Sequence, residues 1–198
     1  MKGDPILFVV SGPSGCGKGT MISHIIDTSD VRKVVNYTTR SPRPGEVDGV
    51  HYNFVSEEKF MRLLSDGCIF EYERVYDDYY YGSPSSVLSG GGDCVIELDY
   101  KGHRKYRQSH PRVVSIFLLP PSAEEMQKRI RDRAEEDNMP SRLDNAAEQL
   151  LHAGEYDYVL LNDDLDRCRR DVEAVVRAEQ VRRWGELLMQ KYATGNSD

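Results

Sequence analysis

Apolar positions along the chain fall into short runs, and the spacing within them alternates between two periods. Residues 6–10 are apolar throughout and are bounded by turn-forming residues, which predicts a buried strand. Met21, Ile22, Ile25 and Ile26 then recur at helical spacing, predicting a helix over about 18–27. Further strands are expected at 34–37, 94–98, 113–119 and 157–161. Ser122 followed by Glu125 is a capping box that opens a helix. From about 163 to 189 a long helical pattern carries Val172, Val176 and Trp184 among its apolar positions. Alternating strands and helices imply an α/β fold, a parallel sheet with helices on both faces.

Two stretches break this rhythm. Between 38 and 83 the composition shifts to Tyr, Pro, Gly and charged residues. Short strands are expected there at 50–54 and 69–75, with a helix between them opening at Ser56. This reads as a small antiparallel insert, mixed α/β, in the main fold. The second stretch, 133–140, is polar, acidic and flanked by arginines, and reads as a mobile loop between two helices. Gly90, Gly91 and Gly92 read as a turn before a strand. The expected division is a core of 1–37 and 84–198, an insert of 38–83, and a lid at about 133–142 within the core.

Composition narrows the function classes. The chain has 198 residues, 39% hydrophobic and 30% charged, which suits one globular domain with a substantial core. No apolar run approaches the roughly 20 residues that span a membrane. Residues 1–5 lead directly into the first strand, so no signal or transit segment is expected. A net charge of −7 argues against broad nucleic-acid or membrane binding, which needs a basic face. Cys16, Cys68, Cys94 and Cys168 are widely spaced and form no metal-like pair, which favours a reducing, cytoplasmic setting. Cys94 reads as core. Cys16 reads as filler between two loop glycines, oxidation sensitivity being the competing reading. The five histidines show no triad or metal spacing.

The chemistry begins after the first strand. Gly12, Gly15 and Gly17 precede Lys18 at the start of a helix, the layout of a phosphate-binding P-loop. Glycines let the backbone turn tightly and aim N–H groups inward, and the helix start adds unpaired N–H groups and the positive end of its dipole. Lys18 supplies a mobile charge for the outer phosphates. The residue after the lysine is Gly19, and the hydroxyl comes one place later on Thr20. This Gly-Lys-Gly-Thr order resembles the loop of nucleoside monophosphate kinases, where the metal is held mostly by phosphates and water.

Arg40 and Arg43, stiffened by Pro42 and Pro44, form a second motif. Rigid guanidinium groups can grip a phosphate dianion bidentately, although alone this would read as an ordinary basic turn. Together with the P-loop and with Phe70-Glu71-Tyr72, Tyr80-Tyr81-Gly82-Ser83, the segment from Glu97 to Gly102, Phe117 to Ser122, and Asn162 to Leu165, the chain closely resembles the guanylate kinase family over about residues 6–165.

The resemblance implies a P-loop NTPase-type fold and magnesium-dependent transfer of the γ-phosphoryl group of ATP to GMP or dGMP. It implies ATP contacts from Ser14, Gly15, Cys16, Gly17, Lys18, Gly19 and Thr20, with Asn162 beside the adenine or capping a helix. It implies acceptor contacts from Arg40, Arg43, Glu46, Tyr52 and Tyr81 to the phosphate, and from Asn36, Glu71 and Ser83 to guanine. A carboxylate at Glu71 can accept from both N1–H and the N2 amino group, a pair that adenine lacks. Asn36 stands where the family usually has Ser, and its NH2 can donate to O6. Glu97 is implied near Lys18 or a metal-bound water. Asp99, also counted with the acceptor residues, is the better candidate for magnesium's water shell; no direct protein ligand to the metal is implied. Arg129, Arg133 and Arg142 match the lid arginines, which with Lys18 and Arg40 would neutralise the transferring phosphoryl group. The lid is short and lacks the usual Gly-Thr after its first arginine. The implied partners are ATP and GMP, with no nucleic acid or membrane, and the implied assembly is a monomer or weak homodimer. Competing readings are a non-catalytic guanylate kinase-like protein-binding module and a kinase of another small phosphate ester. The intact loop argues against the first; Glu71, Ser83 and Tyr81 argue against the second.

Overall fold

The structure, a computed structural model, describes residues 4–75, 79–89, 91–131 and 139–194. Its elements follow in the order β1 (Leu7–Ser11), α1 (Lys18–Thr28), β2 (Arg32–Lys33), β3 (Tyr37–Thr38), β4 (Asn53–Phe54), α2 (Glu57–Ser65), β5 (Ile69–Val75) and β6 (Tyr79–Pro84). Then come β7 (Cys94–Glu97), α3 (Tyr100–Ser109), β8 (Val113–Leu119), α4 (Ala123–Arg131), α5 (Met139–Leu151), β9 (Tyr158–Leu161) and α6 (Leu165–Thr194).

β2, β7, β1, β8 and β9 lie side by side in that order, all parallel, with Leu7 in register with both Cys94 and Val113. The apolar run of β1 is buried on both faces, and its residues alternate between them. Ile6, Phe8 and Val10 pack with Met21, Ile25, Val172 and Val176 of α1 and α6. Leu7 and Val9 pack with Ile96, Leu98 and Tyr106 on the other face. A strand buried this way needs no polar alternation, which is why it reads as a continuous run. Local capping agrees with the sequence: Ser122 Oγ accepts from Glu125 N (3.1 Å), and Ser56 Oγ from Lys59 N (3.2 Å).

The expected strand at 34–37 divides between two sheets. β2 pairs in the parallel sheet, and Val34 N still bonds Val95 O (2.8 Å); Asn36 O already accepts from Asn53 N (2.7 Å) in the second sheet. That second sheet has the order β4-β3-β6-β5. It is not the expected antiparallel insert: β3 and β6, and β6 and β5, are antiparallel, but β3 and β4 run parallel. The loop between β3 and β4, which carries the arginines, returns the chain to the same end. β6 and α3 have no counterpart in the apolar pattern. Tyr-rich β6 lacks an apolar run, and α3 buries Tyr100, Gly102, His103 and Tyr106 rather than aliphatic residues. Among the described residues no helix is long and apolar enough to cross a membrane. All four cysteines are free.

Candidate active site

The loop between β1 and α1 is shaped by backbone geometry that only glycine accepts easily. Gly12 (φ 141°) and Gly17 (φ 99°) are left-handed, and a Cβ at Gly12 would lie 2.5 Å from the carbonyl oxygen of Leu118. Lys18 folds back over the loop, its Nζ donating to the carbonyls of Gly12 (2.6 Å) and Pro13 (3.1 Å) and standing 3.6 Å from the Glu97 carboxylate. Two groups brace the loop from outside. Asn162 Nδ2 donates to Cys16 O (2.8 Å), and Arg129 Nη1 to Gly15 O (3.2 Å), while Glu125 holds Arg129 Nε (2.8 Å). Asn162 is buried under the loop and is not a helix cap. The cap of α6 is Asp164, whose Oδ1 accepts from Arg167 N (2.7 Å). Cys16 is fully buried, and that burial raises its thiol pKa although Lys18 pulls the other way.

Across a cleft, the second sheet gathers the arginine motif. Glu46 grips the Arg40 guanidinium in a two-pronged pair (2.8 and 2.9 Å) and also accepts from Arg43 N (2.7 Å). Arg40 Nε donates to the Tyr81 hydroxyl (3.2 Å), and the guanidinium lies 5.7 Å from the ring centres of Tyr52 and Phe54. Tyr52 meets Tyr81 edge to face, and its phenol pKa is raised by the Glu97 charge and by burial. Arg40 is therefore fixed before any ligand arrives.

Deeper in the cleft, three side chains form a directed chain. The Tyr106 hydroxyl donates to Ser83 Oγ (2.9 Å), and the Ser83 hydroxyl donates to Glu71 Oε2 (3.1 Å). Burial raises the Glu71 pKa, and the Ser83 bond partly offsets this. Gly102 makes room: a Cβ there would stand 3.1 Å from the Glu71 carboxyl carbon. Asp99 caps α3, its Oδ1 accepting from Gly102 N (2.8 Å). Asn36 spends one of its two amide hydrogens inside the protein. Its NH2 donates to the carbonyl of Glu97 (2.8 Å), leaving Oδ1 buried with no partner among the described residues.

One cavity of about 240 Å³ joins these parts. Gly12, Ser14, Lys18, Glu97 and Asp99 line it from the parallel sheet, and Asn36, Arg40, Arg43, Tyr52, Glu71 and Tyr81 from the other side. Gly19 and Thr20 line a neighbouring cleft instead. Ser83 and Glu46 lie behind the wall, bonded to Glu71 and Arg40. Arg133 lies outside the described residues. Arg142 falls within α5, but its side chain is outside them, as is 133–138 of the expected lid. The same cavity is lined by Glu73, Tyr79, Asn145 and Gln149, which the sequence reading missed. A signal was present: Glu73 is two residues from Glu71 on one strand, and Asn145 and Gln149 are four apart on one helix. Burial and the adjacent Asp99 carboxylate push the Glu73 pKa up to about 7, while an ion pair to Lys101 pulls it back.

No group of three or more His, Cys, Asp or Glu side chains among the described residues could enclose a metal ion. The donor set instead suits magnesium, which keeps its waters and takes phosphate oxygens: Glu97 and Asp99 line the cavity, and the Glu97 carboxylate stands 3.6 Å from Lys18 Nζ.

The guanylate kinase family model matches residues 5–179. The chain is similar to the guanylate kinase of Histophilus somni, 41% identical over 184 residues and 88% of each chain. It is also similar to that of Caldanaerobacter subterraneus, 41% identical over 92% of this chain and 91% of that one. Among solved structures, guanylate kinase from Anaplasma phagocytophilum superposes with a TM-score of 0.74 at 33% identity, covering 90% of this chain and 88% of that one.

Proposed function

Because the chain belongs to the guanylate kinase family and transfers a phosphoryl group from ATP to GMP, we propose that the cavity seats GMP along β5 and β6 and receives the ATP phosphates from the loop before α1. The observation that carries this reading is one cavity lined by a phosphate loop, two arginines with two phenols, and a buried carboxylate. The 38–83 segment acts as the acceptor-binding insert. Glu71 accepts from N1–H and the N2 amino group of guanine. Arg40, Arg43, Tyr52 and Tyr81 donate to the GMP phosphate, and Glu46 keeps Arg40 aimed at it.

The nucleophile is an oxygen of the GMP phosphate, whose second pKa is about 6, so it is mostly a dianion at neutral pH and needs no general base. The work left to the chain is to align two polyanions and cancel their charge. Lys18 holds the outer phosphates of ATP; Arg129, Arg133 and Arg142 close over the transferring group. Asn162 and Cys16 keep the loop's shape. When bound, Mg²⁺ neutralises charge on the ATP phosphates, with Glu97 and Asp99 holding its waters. Movement of the insert and of the 133–142 lid excludes water, which would otherwise hydrolyse ATP. The four free thiols and the nucleotide substrates support a cytoplasmic setting. Turnover measured on a panel of GMP, dGMP, AMP, UMP and ribose phosphates tests the reading. GMP is expected to lead; equal use of AMP or UMP would overturn the assignment of Glu71 and Ser83.

A further inference from the structure

The β5–β6 pair acts as a ruler along the acceptor nucleotide. Glu71 stands opposite Ser83, and two residues on, Glu73 stands opposite Tyr81. Residues two apart on a strand share a face and lie about 7 Å apart. Glu71 and Ser83 form the base end of this ruler. Tyr81 serves the phosphate end, its ring carrying the hydroxyl onward to Arg40 Nε at 3.2 Å. Glu73 therefore lies one step past the base end and short of the phosphate end. A nucleoside monophosphate has its sugar there. We propose that Glu73 reads the ribose of the acceptor, accepting a hydrogen bond from a sugar hydroxyl, so that this enzyme discriminates GMP from its deoxy analogues. This rests on the reading that GMP occupies the cavity with guanine at Glu71.

Three further observations agree. Glu73 lines the cavity rather than solvent. Lys101, at the start of α3, forms an ion pair with its carboxylate, which offsets the repulsion that a bare anion would exert on a nearby phosphate. The rest of that wall is polar as well: Asn145 and Gln149 of α5 line the same cavity, with Gln149 Nε2 donating to Asn145 Oδ1 (2.5 Å). An apolar wall would serve a base; hydroxyl acceptors and amides suit a sugar.

The test compares kcat/KM for GMP, 2′-deoxy-GMP and 3′-deoxy-GMP in the wild-type enzyme, Glu73→Ala and Glu73→Gln. The wild type should disfavour the analogue lacking the bonded hydroxyl by about 10- to 100-fold, the worth of one hydrogen bond to a charged acceptor. The two deoxy analogues identify which hydroxyl it is. In Glu73→Ala that ratio should fall to within about threefold, with the loss carried by KM. Glu73→Gln keeps an acceptor oxygen and should retain part of it, so it serves as the readout if Glu73→Ala does not fold. A wild-type enzyme equally active on all three nucleotides overturns the proposal. So does a variant pair that loses the same factor on each. Failure of the underlying reading looks different: the wild type would then not prefer GMP over AMP and UMP at all.

Discussion

Glu71→Gln tests base recognition most sharply, because the structure dictates how the amide must sit. Glu71 Oε2 accepts the Ser83 hydroxyl proton, and that hydroxyl is directed toward it because Ser83 Oγ is already taken as an acceptor by Tyr106. A glutamine at 71 must keep its oxygen facing Ser83, which turns its NH2 toward guanine. Flipping the amide to relieve this would set its NH2 against the Ser83 hydroxyl hydrogen, donor facing donor, because Ser83 Oγ already accepts from Tyr106. The guanine edge then meets a donor where it needs an acceptor. Two charge-assisted hydrogen bonds, each about 1.5–3 kcal/mol, are lost or inverted, and the retained Ser83 contact offsets little of that. A net cost of about 3–4 kcal/mol corresponds to a roughly 10²–10³-fold fall in kcat/KM for GMP. Coupled measurement of ADP release at varied GMP and fixed saturating ATP reads it directly. The KM for ATP should stay within twofold, because the loop before α1 does not touch Glu71. If GMP and ATP parameters both remain within twofold of wild type, Glu71 does not read the base.

Other consequences can be checked in parallel. Lys18→Ala should fold normally yet lose about 10²–10⁴ in turnover, since removing one electrostatic donor at a transferring group costs about 3–5 kcal/mol; more than half of wild-type kcat would remove Lys18 from the chemistry. Asp93, which binds Ile6 N (3.0 Å), Gln180 Nε2 (3.0 Å) and Arg183, ties β1 to α6. Asp93→Ala should cost about 2–4 kcal/mol in denaturant unfolding, because Arg183 is left half-buried and unpaired, and a loss under 0.5 kcal/mol would make that tie ornamental. The Arg183 and Ile6 bonds overcome the opposing effect of burial and hold the Asp93 pKa below its ordinary value. Its contribution is thus complete above about pH 4 and is lost as pH falls through the lower folded-state value, so wild type and Asp93→Ala should converge in stability in strong acid. In hydrogen exchange, GMP alone should protect mainly 38–83, and 133–142 should respond only when ATP or an analogue is added; full protection of both by GMP alone would refute two-part closure.

The parallel sheet was legible because its central strands are buried on both faces, so that 6–10, 94–98 and 113–119 stand out as apolar runs. The P-loop was legible for a related reason: its glycines are required by backbone geometry. α3 was hidden because its buried face is built from Tyr, His and Gly, which apolar periodicity does not count. The parallel pairing of β3 with β4 was equally invisible, since two-residue strands carry no pattern. At the site, residue types were readable, but their partners were not. Nothing local says that Asn36 spends its NH2 on the carbonyl of Glu97, or that Asn162 lies under Cys16, because each pair is separated by more than 60 positions. Glu73 was overlooked because an acidic residue on a strand that also carries Glu71 and Arg74 looks solvated until Asp99 and Lys101 are brought against it.

Tyr106 belongs to two worlds at once. Its ring is fully buried among Leu7, Val9 and Ile96, while its hydroxyl begins the chain that ends on Glu71. With Glu71 as the proposed reader of the base, selectivity would be set from within the hydrophobic core. In a laboratory evolution experiment under a toxic guanine analogue, escape need not come from the pocket wall. Substitutions on the hidden side of β1 or β7 would tilt the Tyr106 ring, swing the Ser83 hydroxyl, and retune which purine is accepted. Resistance alleles would then map to positions that touch no substrate.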